Sequence, residues 1–220
     1  MAKPQDRHVV RRLPKRADYS RDTVNAILDE AMICHVSFVV DGQPYIIPTI
    51  HARDGDTVLL HGLKGGRMLK HIEAGHSVCI AVTLLDGLVL ARSAFHHSMN
   101  YRSVVLFGKG IEITEPDAKM AAMQRFVDHL TPGRWDALRP VTDKEVKATS
   151  IVSIAIDDAS AKIRVGAPSD DEDDYALPIW AGVLPLSLKS GPIEDDPRLM
   201  AGVERPSHVM QFDPATRYDS

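Results

Sequence analysis

Two stretches of the chain gather residues whose types and spacing could do chemistry. The first runs from Thr57 to Ile72, where His61-Gly62 precedes Lys64-Gly65-Gly66-Arg67 and then Lys70. Glycines at 62, 65 and 66 let a backbone turn sharply and approach a ligand closely. A helix beginning after Gly66 would offer unpaired N–H groups and partial positive charge, to which Lys64, Arg67 and Lys70 add full charges. That arrangement could hold a small phosphate; it is equally that of a solvated basic turn. It is not a P-loop, because the Gly-Lys-Ser/Thr ending is absent.

The second stretch, Arg92 to Ser103, places His96, His97, Arg92, Arg102, Asn100 and the hydroxyls of Ser93, Ser98 and Ser103 between apolar runs. Burying such a run is costly unless the groups bond to one another or to a ligand. Neighbouring histidines on a strand point to opposite faces, so His96 and His97 do not chelate one metal together. His51, His61, His71 and His76 are scattered, and the acidic run Ser169 to Asp174 lacks the glycine and alternation of a calcium loop, so it reads as a solvated loop and no metal is expected. No Gly-x-Ser-x-Gly elbow is present to suggest a hydrolase. His61 and His97 are the candidates for proton transfer, since a neutral histidine accepts or donates near pH 7; a structural role is the alternative for each.

The elements that must position these groups can be read from periodicity. Ser20 caps a helix running to about Met32, with Val24, Ile27, Leu28 and Ala31 as its buried stripe. Strands follow at Ile33 to Val40, Tyr45 to His51 and Thr57 to His61, joined by Asp41-Gly42 and by Arg53-Asp54-Gly55-Asp56. Met68, Leu69 and Ile72 fall at helical spacing. Further strands are expected at Ser77 to Leu84, at Leu88 to Arg92 after an Asp86-Gly87 turn, and at Tyr101 to Ile113. Gly108 and Gly110 mark a bulge or sharp bend in the last of these. Six strands joined mostly by tight turns, with one early crossover helix, give a mainly β protein with flanking helices, an antiparallel barrel. A helix from Pro116 to Leu130 follows, whose stripe of Met120, Met123, Phe126 and Val127 reads as core. Thr142 caps a short helix over Asp143 to Ala148, and strands at Ser150 to Ile156 and Lys162 to Val165 return to the barrel.

At 220 residues the chain can bury one sizeable core, and 44% hydrophobic with 25% charged residues is ordinary for a globular protein. A net charge of −4 argues against broad nucleic-acid binding. No apolar run is long enough to span a bilayer and the polar N-terminus is not a signal peptide, so the expectation is cytoplasmic, with no membrane partner. Cys34 and Cys79 sit in apolar runs and read as reduced thiols. Residues 1–16 form a basic arm read as flexible and solvated, 17–186 the barrel domain, and 187–220 a proline-bearing tail that is either mobile or wrapped over a neighbouring subunit.

Val58-Leu59-Leu60-His61-Gly62, the Gly66-Arg67 helix start, Asp86 to Ser93, Asn100-Tyr101-Arg102-Ser103-Val104-Val105-Leu106-Phe107-Gly108 and the ending Trp180 to Pro185 together resemble the pyridoxamine 5'-phosphate oxidase-related flavoproteins, in particular the nitroimidazole-resistance-like branch. The resemblance covers roughly residues 17 to 186. It implies an FMN-binding split β-barrel, a Greek-key antiparallel barrel, acting as a homodimer with FMN in clefts at the subunit interface. Carried over by position, Arg67 would hold the phosphate with Gly66 and Lys64. Pro48, Thr49 and Ile50 would lie along the isoalloxazine, and His61 and Gly62 beside the ribityl chain. His97, Ser98, Tyr101 and Ser103 would line the cleft from the second subunit, and Trp180 would close it.

The implied activity is an FMN-dependent oxidoreductase taking electrons from a nicotinamide donor and passing them to a small acceptor such as a nitro compound. The alternatives are a flavin-binding storage or sensing protein, or a haem- or deazaflavin-binding relative. Two departures stand out: Met68 replaces the basic residue the family often places after the arginine, and the family enzyme's C-terminal arginine and histidine signature for a substrate phosphate is missing, so vitamin B6 synthesis is not implied.

Overall fold

The computed structural model describes residues 6–214. In chain order the elements are β1 (Ala17–Asp18), α1 (Arg21–Glu30), β2 (Ile33–Val40), β3 (Gln43–Asp54), β4 (Thr57–Leu63), α2 (Arg67–Glu73), β5 (Ser77–Leu90), β6 (Ser98–Glu112), α3 (Pro116–Leu130), α4 (Asp143–Ala148), β7 (Thr149–Ala155), β8 (Asp158–Arg164), β9 (Gly182–Pro185) and α5 (Ser207–Met210). All strand pairings are antiparallel, in the order β1-β8-β6-β7-β4-β3-β2-β5-β9. An additional β5–β6 pairing closes β6-β7-β4-β3-β2-β5 on itself, which makes the barrel. No helix among the described residues is long and apolar enough to cross a membrane.

Alternation along the strands sorts side chains between two cores. Val36, Leu60, Ile80, Leu106 and Ile154 point into the barrel, whose ends are plugged by Ile27 and Leu28 of α1 and by Leu69 and Ile72 of α2. The opposite face of β3, β4 and β7 supplies Ala52, Leu59 and Ile151, which pack under Ala122 and Phe126 of α3. Local chemistry sets the boundaries. The Ser20 hydroxyl accepts from the Thr23 N–H, and Thr142 with Glu145 forms a full capping box at α4.

Several expectations are corrected. Asp86-Gly87 is not a turn: β5 runs unbroken from Ser77 to Leu90, with a bulge between Leu85 and Gly87. The bulge places Asp86 where Arg102 can clasp it, and a Cβ on Gly87 would stand 3.0 Å from the Leu184 carbonyl oxygen of β9. The expected stripe of α3 is core only in part. Phe126 is buried and Met123 packs against the same cluster, but Lys119, Ala122 and His129 are the other buried positions, and Met120 and Val127 lie half-buried along the flank. The basic arm is docked in part: Arg7 and His8 both meet Asp158, at 2.5 Å and 2.6 Å, and Arg7 covers the Phe107 ring, while Arg11, Arg12 and Lys15 are exposed. Lys3 lies outside the described residues. The tail turns back on itself, with Ser190 donating to the Phe212 carbonyl and Arg205 paired with Asp195. Cys34 and Cys79 are free thiols, and burial pushes the Cys34 pKa up to about 12.

Candidate functional site

The cationic turn forms as the glycine pattern requires. Gly65 has φ +91°, a conformation that disfavours any Cβ, and Gly66 is the residue from which α2 departs. The Gly66 N–H already donates to the Leu63 carbonyl at 3.0 Å, so its contribution is to shape the turn. Arg67 is exposed and makes no hydrogen bond or ion pair with the described residues; its guanidinium rests 4.6 Å from the centroid of the Tyr45 ring. Lys64 is exposed beside it, its N–H bonded to the Ala148 carbonyl. Met68 points into the barrel and is buried, which explains why no basic residue stands there.

Beside this turn lies an apolar strand face. Cys34, Val36 and Phe38 face the core, so Ile33, His35, Ser37 and Val39 face outward. In register they oppose Ile50, Pro48, Ile46 and Pro44 of β3. Ile46 is 65% exposed, Ile33 55% and, on β4, Leu63 76%, so this face presents apolar surface to solvent. Of the three residues expected along a flavin ring, Pro48 and Ile50 are on this face. Alternation turns the Thr49 side chain the other way, leaving its backbone to the outer side.

His61 sits on the same outward face of β4, opposite Ile151 of β7. It forms one wall of a cavity of ≈470 Å³ whose other walls come from α3, the Trp135–Ala137 turn, the connection to α4, and α4 itself. Its ring packs on Phe126 with centroids 4.2 Å apart. Nδ1 is fully buried without a partner, and burial lowers the pKa, holding the ring neutral. The adjacent Gly62 faces inward, where a Cβ would stand 3.1 Å from Leu69 Cδ1.

The second stretch is built differently. Arg102 is a brace: its guanidinium binds Glu30 (Nη2–Oε1 2.7 Å) and Asp86 (Nε–Oδ2 3.0 Å), and these bonds raise its pKa further. Arg92 donates through its backbone N–H and Nη1 to Asp170, each at 3.0 Å, and lies over Tyr175. Asp170 is buried, so the acidic loop is clipped down at that residue rather than wholly solvated. Arg164 binds Asn100 and the Gly166 and Ala167 carbonyls. Around these anchors stand His97, bonded at Nδ1 to the Ser93 carbonyl, Ser98, half-buried Tyr101, and Ser103, which donates to the Lys162 carbonyl, while the Ser93 hydroxyl, His96 Nε2 and the Nε atoms of Arg92 and Arg164 are buried without a hydrogen-bond partner. Trp180 is 70% exposed, its ring lying over Gly182, where a Cβ would come within 2.8 Å of it.

The structure therefore brings Pro48, Ile50, His61, Lys64 and Arg67 to one side of β3, β4 and α2, and His97, Ser98, Tyr101, Ser103 and Trp180 to the β5–β6–β9 region. No hydrogen bond, ion pair or ring contact among the described residues joins the two groups. Sequence reasoning missed Tyr45, which holds Arg67, and the apolar lining opposite His61. Tyr45 alternates with Ile47 as an ordinary strand residue, and Trp135 and Leu138 lie in a segment without periodicity.

Comparison with known proteins agrees with this architecture. The sequence pattern described as pyridoxamine 5'-phosphate oxidase matches residues 20–163. The flavocytochrome Anf3 from Azotobacter vinelandii is 44% identical, covering 95% of this chain and 97% of its own, with a TM-score of 0.89. The FAD and haem binding protein from Mycobacterium smegmatis is 36% identical, covering 90% and 97%, with a TM-score of 0.86. A candidate 5-nitroimidazole antibiotic resistance protein from Bacteroides thetaiotaomicron shares the fold at 22% identity and a TM-score of 0.57, over 67% of this chain and 86% of its own. No curated protein sequence matches the chain. With a closed six-strand barrel, a glycine-shaped arginine turn beside it and a family pattern spanning strands and helices alike, the chain belongs to the pyridoxamine 5'-phosphate oxidase family.

Proposed function

We propose that this protein is a flavin-binding redox protein that also carries haem, working as a homodimer and passing electrons from a nicotinamide donor to a small acceptor. The observation that carries this reading is the near full-length likeness to a flavocytochrome and to an FAD and haem binding protein, which extends through the segments flanking the barrel. The family resemblance implies FMN, whereas the similar mycobacterial protein carries FAD by description; the mass of flavin released from this protein distinguishes the two.

The residues present suit a flavin. Arg67, unpaired and steadied on Tyr45, would hold phosphate, and a guanidinium binds a phosphate through charge-assisted hydrogen bonds. The outward row of Ile46, Pro48 and Ile50 would take the flat apolar ring, with Lys64 at its edge. His97, Ser98, Tyr101, Ser103 and Trp180 would come from the partner copy, which accounts for their lying apart from Arg67 within one chain. The same partner would cover Ile33, Ile46 and Leu63. A bound flavin supplies one- and two-electron chemistry; the chain's part is to orient it, exclude water from its face and set the charge around it.

The test is the purified full-length protein. An absorption spectrum, extraction of flavin and haem, and sedimentation give cofactor content and oligomeric state. Rapid-mixing reduction by NADH or NADPH, then reoxidation by oxygen or a nitro compound, reads electron transfer. A colourless monomer indifferent to added flavin would refute the reading, and a flavin that no physiological donor reduces would leave a storage or sensing protein.

A further inference from the structure

Resting on the flavin-and-haem reading above, we propose that haem occupies the apolar cavity between β4 and the α3–α4 segment, with His61 as its iron ligand and Arg139 at the mouth to meet its propionates. Haem is a flat, mostly apolar ring with two carboxylates on one edge and an iron that takes an imidazole. The cavity matches each feature. Its ≈470 Å³ falls within the range of about 300–1,000 Å³ common to small-molecule pockets. Its walls are largely apolar: Phe126, Val127, Trp135, Leu138 and Val141. Arg139 is exposed at the rim, paired with Glu145 at 2.5 Å, a partner it can exchange for a propionate.

His61 is the ligand because of how it is left. It makes no hydrogen bond with any described residue. Nδ1 is buried against protein, so Nε2 is the nitrogen that keeps an opening. Phe126 fixes the ring against one side, limiting the rotation that an axial ligand must not have.

His61 is the histidine that lines this cavity; His96 and His208 also carry a buried Nε2 without a hydrogen-bond partner but stand outside it, and several others are otherwise engaged. His51 and His129 bond through Nε2 to the Leu28 and Ala31 carbonyls in the interior. His71 and His76 stack on each other at 4.6 Å and line a separate hollow that mixes Phe38, Val39, Val78 and Phe107 with Arg7, Ser37, Ser77 and Cys79. His8 is held by Asp158, and His97 by the Ser93 carbonyl.

The test uses the full-length protein expressed with haem precursor and, separately, titrated with haemin. Wild type should show a Soret band with haem extractable in stoichiometric amount. In His61→Ala, haem retention should fall by at least the about 10–100-fold typical of losing a mere outer-shell partner, with flavin content and circular dichroism unchanged. His61→Gly should regain the wild-type Soret position on adding imidazole. His76→Ala should match wild type. Leu138→Asp, which puts a charge in the apolar wall and leaves His61 intact, should also weaken haem binding. If His61→Ala fails to fold, His61→Met keeps the volume and should displace the Soret maximum and alter the electron paramagnetic resonance spectrum. Haem retained by His61→Ala or His61→Met with an unchanged spectrum would overturn this assignment while leaving the flavin-and-haem reading intact. A wild-type protein that binds flavin but no haem would remove both the haem half of that reading and this inference.

Discussion

The Arg67 guanidinium lies 4.6 Å from the centre of the Tyr45 ring, which in turn stacks on Phe38 at 5.6 Å. Phe38 is buried in the barrel, so an exposed cation is tied to the core through two aromatic rings. A side chain as long as arginine loses considerable rotamer entropy on gripping a ligand, and resting on a ring removes part of that loss beforehand.

Two substitutions separate charge from positioning. Arg67→Ala should weaken flavin binding by about 2–4 kcal/mol, because it removes a charge-assisted contact to a partly desolvated phosphate. Tyr45→Leu keeps the charge and the apolar bulk; it should weaken binding by only about 0.5–1 kcal/mol, the size of an exposed cation–π contact. Fluorescence titration with FMN and FAD measures both. Full affinity in Arg67→Ala would show that the phosphate is held elsewhere.

The bend in β6 gives a stability prediction. A Cβ on Gly110 would fall 2.2 Å from Ile72 Cγ2, at the point where the strand passes from β5 to β7 and α2 closes the barrel. Ile72 is fully buried and cannot swing aside. Gly110→Ala should therefore destabilise by about 1–3 kcal/mol through overpacking. Combined with Ile72→Ala, it should cost less than the sum of the two single changes, since the clash is then gone. Urea unfolding of the three variants reads the coupling, and strict additivity would contradict it.

How much of this was legible before the structure depended on whether the signal was local. Pro116–Leu130 carries a starting proline and helical periodicity and Asp143–Ala148 its Thr142 cap, and the structure places both helices at those bounds. β2 likewise runs from Ile33 to Val40, fixed by alternation and the Asp41-Gly42 turn. Asp86-Gly87 misled because the same dipeptide serves a hairpin or a bulge; what decides is Arg102, sixteen residues on, and the β9 strand nearly a hundred residues later. The α3 stripe was right only at Met123 and Phe126, for a related reason. Met120 and Met123 share helical spacing with Phe126, but which arc faces the sheet is set by where Leu59 and Ile151 stand. At the site, Arg67 was legible from the glycines before it. The cavity beside His61 was not, since its walls come from three separate segments.

The clip between Arg92 and Asp170 should open in acid. Burial alone would raise the Asp170 pKa, but the Arg92 side-chain and backbone bonds outweigh it and hold the pKa below the ordinary 3.8. A carboxylate with a depressed folded-state value contributes stability that is fully present above the unfolded value and is lost as pH falls through the folded one. Wild type should thus lose this contribution below about pH 4. Asp170→Asn should lack it at every pH, so the gap between their melting temperatures should be constant above pH 5 and narrow towards pH 3. A gap that does not narrow would mean that the bond contributes nothing as an ion pair.

His61 gives the opposite kind of titration in the haem-free protein. Burial depresses its pKa below 6.5, so the unfolded chain takes up the proton first as pH falls. The stability that neutral His61 preserves is fully present above 6.5 and declines as pH drops through the interval down to the folded value. Other histidines titrate nearby, so the informative quantity is a difference: wild type against His61→Phe, which keeps a flat ring beside Phe126 but cannot be protonated. Melting curves between pH 8 and 5 should show wild type losing more stability than His61→Phe over the acid half of that range. Equal slopes would mean that the imidazole takes up its proton in the cavity as readily as in water, which the apolar wall and the buried, unpartnered Nδ1 argue against.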